Sequence, residues 1–390
     1  MKKIGLILAN PITNYGAHLQ AFATQYVVEK LGVTTEVMDV SKTNESYHYK
    51  IDFGFFIYAL KKISNKLFGK KQGLSYDEAY YTNVKERTAI AADFRKRRLH
   101  DEHIYLTYEE LVSRAKDLDG VMIGSDQMWL PGASFSSISS LNFVPKGVKR
   151  LSYATSLGVE KYPKYCWNSA RQMWERMDFV SVREKQGADI IRNVCKNKVD
   201  VKVVVDPTYL LTKEQWEILI PIENMSEDKY VFCYFLGNNE ESKLCAKRYA
   251  ETNNLKLVSI LSSESFSSID RTYADVTLGA ISPETFINWI RGAECVFTDS
   301  FHGLAFSVIN QKQFFVFYRH KKDPRVSKNS RIDNILKTWN IPDRLVTDPN
   351  VDWNIETPVP INYLEVDKVM IKERESSLNY LKTMLGINED

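Results

Sequence analysis

The first forty residues constrain this chain more than any other stretch. KKIGLILAN (2–10) is an apolar run of strand length, and PITNYG (11–16) carries turn residues. AHLQAFATQYVVEKLG (17–32) then repeats Leu19, Phe22, Ala23, Tyr26, Val27 and Leu31 at helical spacing, with Gly32 marking the end. TTEVMDVS (34–41) follows as a second strand. A strand, a helix and a strand in that order commit both strands to one parallel sheet with a right-handed crossover.

The same grammar continues. DGVMIGSDQ, KRLSYATS, DFVSVRE and VKVVVDP read as strands, each followed by a turn or helical segment. A second series begins at KYVFCYFLG and runs through the helix NEESKLCAKRYAETNN, the strand LKLVSILS and the helix SPETFINWIRGAE to the strands ECVFTD and QKQFFVFYR. Residues 363–385 form a long polar helix with an apolar stripe. At 390 residues the chain exceeds one typical core. The expected fold is α/β, with two Rossmann-like domains facing a cleft and a C-terminal helix. Asp206 and Pro207 interrupt the rhythm, which sets the expected domains at 1–206 and 207–390.

An apolar fraction of 44% and a charged fraction of 26% are those of an ordinary globular chain, and a net charge of +3 gives no reason to expect nucleic acid. The five cysteines form no C-x-x-C pair, and three sit in apolar runs, as buried thiols do. His100 and His103 have no standard metal spacing, so no metal site is expected. MKKIGLILAN leads into a turn rather than a cleavage site, and no apolar stretch reaches membrane-span length, so a cytoplasmic location is expected. One insertion, 51–73, sets Phe53, Phe55, Phe56, Ile57, Leu60, Ile63, Leu67 and Phe68 beside Lys61, Lys62, Lys66, Lys70 and Lys71. It reads either as a helix packed on the first domain or as an interfacial helix on an anionic membrane surface. In the second reading Phe53, Phe55 and Phe56 enter the headgroup boundary.

Ligands of open α/β sheets bind beyond the carboxyl ends of the strands, so the polar residues there are the candidates. In TDSFHG, Asp299 or Ser300 caps a helix starting near Phe301, and His302 lies in its first turn, where backbone N–H groups attract anions. A neutral imidazole is expected at such a helix end. In SVREKQG, Arg183 stands at a strand end, able to grip a carboxylate or phosphate or to form a surface ion pair with Glu184 or a neighbour. GSDQMW offers Asp126 and Gln127 for sugar hydroxyls, and NPITNYG offers Asn14, Tyr15 and Gly16 before a helix. The stretch 318–331 carries Arg319, Arg325 and Arg331 within a basic loop that could close over an anion. Neither a dinucleotide fingerprint nor a P-loop occurs, and no G-x-S-x-G elbow makes Ser300 a hydrolase nucleophile.

Taken in order, NYGAHLQAFAT, GSDQMW, SYATSLG, SVREKQGA, VVVDPTYLL and TDSFHGLAFSVINQKQFFVF resemble the polysaccharide pyruvyl transferases over roughly residues 10–340. The resemblance implies a GT-B-like fold and transfer of pyruvate from phosphoenolpyruvate, as a ketal, to a sugar of a surface polysaccharide (capsule or exopolysaccharide) or its lipid-linked precursor. It associates Arg183 and His302 with the donor. It also implies an arginine where Ser300 stands, and Arg319, Arg325 and Arg331 are the candidates to replace it. Phosphoenolpyruvate would serve as co-substrate, with no other cofactor. The competing readings are a GT-B glycosyltransferase using a nucleotide sugar and a non-catalytic glycan-binding protein.

Overall fold

The computed structural model describes residues 2–9, 13–43, 51–68, 77–100, 102–262, 267–319, 330–355 and 359–387. Its first sheet has seven strands: β1 (Lys3–Ile7), β2 (Thr34–Asp39), β3 (Glu102–Ile104), β4 (Gly120–Asp126), β5 (Lys149–Thr155), β6 (Val180–Val182) and β7 (Val201–Val203). They lie in the order β3-β2-β1-β4-β5-β6-β7, every pair parallel. The second sheet, ordered β10-β9-β8-β11-β12, is also parallel throughout. Its strands are β8 (Tyr230–Tyr234), β9 (Lys256–Ile260), β10 (Val276–Leu278), β11 (Cys295–Thr298) and β12 (Gln313–Val316). Central strands such as β8, YVFCY, are buried at every residue, because helices cover both faces of a parallel sheet.

The helices of the first half are α1 (Tyr15–Lys30), α2 (Phe53–Phe68), α3 (Glu78–Arg98), α4 (Tyr108–Ala115), α5 (Trp167–Trp174) and α6 (Lys185–Val194). Those of the second are α7 (Lys213–Leu219), α8 (Glu240–Thr252), α9 (Pro283–Gly292), α10 (Phe301–Ile309), α11 (Ser330–Thr338) and α12 (Tyr363–Leu385). Helix α1 starts two residues earlier than its apolar spacing predicts, because the Asn14 side chain caps it by accepting from the Ala17 N–H. Strands β6 and β7 are only three residues long, shorter than their apolar runs. Helix α3 and the short strands β3 and β10 went unread in the sequence.

The two sheets share a core. Phe22 of α1 stacks toward Trp216, which meets Phe306 of α10 edge-on at 5.2 Å. The Tyr15 ring lies 5.2 Å from Phe286 of α9. Helix α3 spans the same junction: its buried Arg87 donates to the Leu261 carbonyl at 2.7 Å, and Arg97 and Arg98 both reach Glu284. Helix α12 returns to the first sheet, where Ser377 Oγ accepts from Val205 N at 3.0 Å and Tyr380 packs on Phe179. The five cysteines are all buried and free, including the three that sit in apolar runs.

Candidate active site

Each sheet reverses its winding once, between β1 and β4 in the first and between β8 and β11 in the second. Crevices open at such reversals, beyond the carboxyl ends of the strands. Here the two crevices meet. Gly16, at the start of α1, lies so close under His302, at the start of α10, that an added Cβ would fall 2.1 Å from the imidazole Cγ. Only a glycine permits that approach. Ser300 caps α10 by accepting from Gly303 N at 3.3 Å. Asp299 bridges its own reversal instead, accepting from Leu236 N at 2.7 Å and Gly237 N at 2.8 Å.

Around His302 lies a buried charge cluster. Arg183, just past β6, donates from Nη1 to Asp206 at 2.6 Å and from Nη2 to Asp126 at 2.7 Å. Its Nε stands 3.9 Å from Glu184, and its guanidinium lies 4.1 Å from the Phe301 ring centroid. Asp206 also accepts from Ser125 Oγ at 3.0 Å and from the Thr208 amide and hydroxyl. Its Oδ2 is 3.9 Å from His302 Nε2. Arg331, from α11, sets Nη1 3.8 Å from Asp126 and reaches the Gln127 amide oxygen at 2.9 Å. Asp126 has a φ of +67°, a left-handed backbone that Asp tolerates better than most residues.

Burial decides the charge states. It pushes the His302 imidazole below its ordinary range, and Asp206 and Asp126 only partly offset this, so His302 is neutral at pH 7. Loss of water, more than the helix terminus, is the cause. Burial, the largest single effect, would raise Asp126 and Asp206, yet Arg183 together with His302 and the surrounding charges and hydrogen bonds outweighs it and holds both carboxyls below the usual range. Glu184 goes the other way, raised by burial that Arg183 does not offset. Burial and the neighbouring Arg183 pull Arg331 down to about 10. Two guanidiniums crowd against Phe301, and the charge of Arg183 disfavours that of Arg331.

Of the sequence candidates, the structure brings together Gly16, Asp126, Gln127, Arg183, Ser300, His302 and Arg331. Arg183 is only 1% exposed in its side chain and is already held by two carboxylates, so its fork is occupied. Ser300 is engaged as a cap. Asn14 caps α1, and Tyr15 is buried between Phe286, Tyr234 and the Arg87 guanidinium, 4.8 Å from its ring. Arg319 lies at the rim, its Nε 3.9 Å from Asp299. Arg325 lies outside the described residues. Sequence reasoning missed Asp206, whereas Glu184, the neighbour expected to pair with Arg183, does lie 3.9 Å from its Nε, buried rather than at the surface. In the sequence Asp206 reads as punctuation between domains, although a polar residue following the apolar run VKVVV meets the same strand-end rule that selects the others. Among the described residues no group of three or more His, Cys, Asp or Glu side chains is placed to hold a metal ion.

Two facing parallel α/β sheets with a cleft between them and a closing C-terminal helix define the GT-B fold. Solved structures agree over the whole chain: one of a UDP-N-acetylglucosamine 2-epimerase has a TM-score of 0.53 at 10% identity, covering 100% of this chain and 97% of that one. The S. aureus MnaA–UDP structure has a TM-score of 0.51 at 12% identity, covering 100% and 98%. At such identity the likeness is one of fold. The chain belongs to the polysaccharide pyruvyl transferase family, whose model matches residues 14–321. Compared by sequence with curated proteins, the chain matches none.

Proposed function

We propose that this protein transfers the pyruvyl group of phosphoenolpyruvate to a sugar of a surface polysaccharide or its lipid-linked precursor, forming a ketal and releasing phosphate. It works in the cytoplasm, at the inner face of the membrane, with no metal or organic cofactor. One observation carries the reading: a neutral, buried imidazole in the first turn of α10, 3.9 Å from Asp206, beside two crowded arginines.

The chemistry asks for that combination. Phosphoenolpyruvate brings a carboxylate and a phosphate, which Arg331, Arg319 and the N-terminus of α10 would receive. A sugar hydroxyl attacks the carbon bearing the phosphate, forming one C–O bond and giving its proton to His302, which passes it to the methylene carbon. Phosphate then leaves with its bridging oxygen, and a second hydroxyl of the same sugar closes the ring. Two hydroxyl protons are given up; one ends on the methyl carbon and one on phosphate, so a single group that takes and returns protons suffices. His302 fits that part: neutral, it accepts a hydroxyl proton, and Asp206 then stabilises the imidazolium. Arg183 is a positioning residue that holds Asp206 and Asp126 in place. Gln127 and the exposed part of Asp126 remain the candidates for acceptor hydroxyls.

The test is incubation with phosphoenolpyruvate and lipid-linked sugars, reading phosphate release against ketal formed. Equal amounts of both are expected. Transfer from a nucleotide sugar with no use of phosphoenolpyruvate would replace this reading with glycosyl transfer. Sugar binding without turnover of either donor would replace it with glycan recognition.

A further inference from the structure

Helix α2 is held to the first domain along one side only. The Phe55 and Tyr58 rings lie 5.7 and 5.6 Å from the Phe135 ring. Gly54 lies under the Tyr165 carbonyl, 2.0 Å from where a Cβ would stand. Lys61 stacks its ammonium 4.6 Å from the Tyr165 ring centroid. Phe55, expected from the sequence at a lipid boundary, is therefore turned inward. Lys70, Lys71 and the side chain of Lys66 lie outside the described residues.

The other side of the helix is bare. Phe53, Phe56, Leu60 and Ile63 recur at spacings of three, four and three, which places them on one helical face. They are 79%, 58%, 66% and 54% exposed, and Ile51 just ahead of the helix is 67% exposed. Isolated exposed apolar residues are ordinary, but a contiguous stripe marks a surface that meets something. Lys61 and Lys62 are exposed on the same helix, and no acidic side chain lies between Phe53 and Phe68. The helix is thus apolar on one face and cationic elsewhere.

We infer that α2 docks the protein on an anionic lipid surface. The helix lies in the membrane plane, with Phe53, Phe56, Leu60 and Ile63 in the headgroup–acyl boundary, while Lys61 and Lys62, exposed but with their ammoniums beside the Tyr165 and Tyr58 rings, add longer-range attraction to the anionic surface. Among the described residues no helix is long and apolar enough to cross a membrane. A second copy of the chain is the weaker occupant. With an aromatic side chain offering 150–250 Å², four partly exposed side chains amount to roughly 500 Å². A stable interface takes ~800 Å² from each partner. The docking rests on the proposed function only for its purpose, delivery to a lipid-linked acceptor, and its test needs no turnover.

The test is co-sedimentation of the full chain with phosphatidylcholine vesicles, with and without phosphatidylglycerol. Wild type should sediment with the anionic vesicles and be released as salt rises. The exposed-face variant Phe53→Ser/Phe56→Ser should lose at least about 100-fold in partition, judged by the transfer of two aromatic side chains. Lys61→Gln/Lys62→Gln should lose on the order of 10–30-fold, about fivefold for each lysine. Circular dichroism and the denaturant midpoint should match wild type in both variants. Failure of wild type to sediment, equal binding to neutral vesicles, or unchanged binding of both variants would overturn the proposal. So would a concentration-dependent dimer that the Phe53→Ser/Phe56→Ser variant abolishes, in the absence of vesicle binding. Ketal formation by a protein that ignores vesicles would overturn the docking and leave the proposed function standing.

Discussion

Replacing Asp206 with Asn tests whether the carboxylate at 3.9 Å from His302 Nε2 sets the basicity of that imidazole. The substitution keeps the shape and an oxygen for Thr208 but removes a charge that favours imidazolium. At that distance and an effective dielectric of ~20, the lost attraction is about 4 kcal/mol. His302 already lies below its ordinary range because of burial, so the variant imidazole should titrate lower still. The acidic limb of the kcat profile should move to lower pH, since His302 must be neutral to accept a proton. The plateau should fall by about 10²–10³, because a weaker base stabilises the transition state less. Proton NMR of the imidazoles gives the titration directly: the chain has six histidines, and His302→Gln assigns the peak. Asp126→Asn, which removes the other carboxylate on Arg183, should shift His302 less. If the Asp206→Asn midpoint stays within about half a unit of wild type while kcat still falls, Asp206 acts by holding Arg183 and the proton-transfer argument fails.

Arg183→Lys should lower stability by about 3–5 kcal/mol, because one ammonium cannot satisfy two buried carboxylates. A denaturant midpoint equal to that of wild type would show that the fork is dispensable. Gly16→Ala should cost about 10² in kcat, since the new Cβ would stand 2.1 Å from the His302 ring and force it aside. Turnover within twofold of wild type would contradict the close approach as a positioning device. Activity should persist in EDTA, and loss restored by a divalent ion would call for a metal in the donor site.

The alternation of apolar runs and amphipathic helices carried most of the fold, because a buried parallel strand and its crossover helix each leave a pattern within a few residues. What it missed has physical reasons. Strands β3 and β10 are three residues long and lie at sheet edges, too short for a period to show. Helix α3 buries charged and polar side chains such as Arg87, Asn83 and Arg95, so its inward face does not read as apolar. Within the site, His302 stood out because a helix start follows a strand end in one local motif. Asp206 did not, since its meaning comes from Arg183, twenty-three residues away in sequence, and from His302 across the domain junction. Nor does a sequence reveal that Arg183 is already committed to two acids, or that Phe55 packs on Phe135 while Phe56 stays exposed.

Helix α12 imposes an order on biosynthesis. The first sheet is complete in sequence by Val203, yet Val205 N bonds to Ser377, 172 residues further on, and Arg374 donates to the Tyr209 carbonyl. At ~5–20 residues per second, a ribosome needs roughly 10–35 s to make that intervening stretch. Through that interval the nascent first domain holds the surface around Phe179 and Val205 without its covering helix. Packing at the Asp206 turn is therefore sealed late, after the second sheet has emerged.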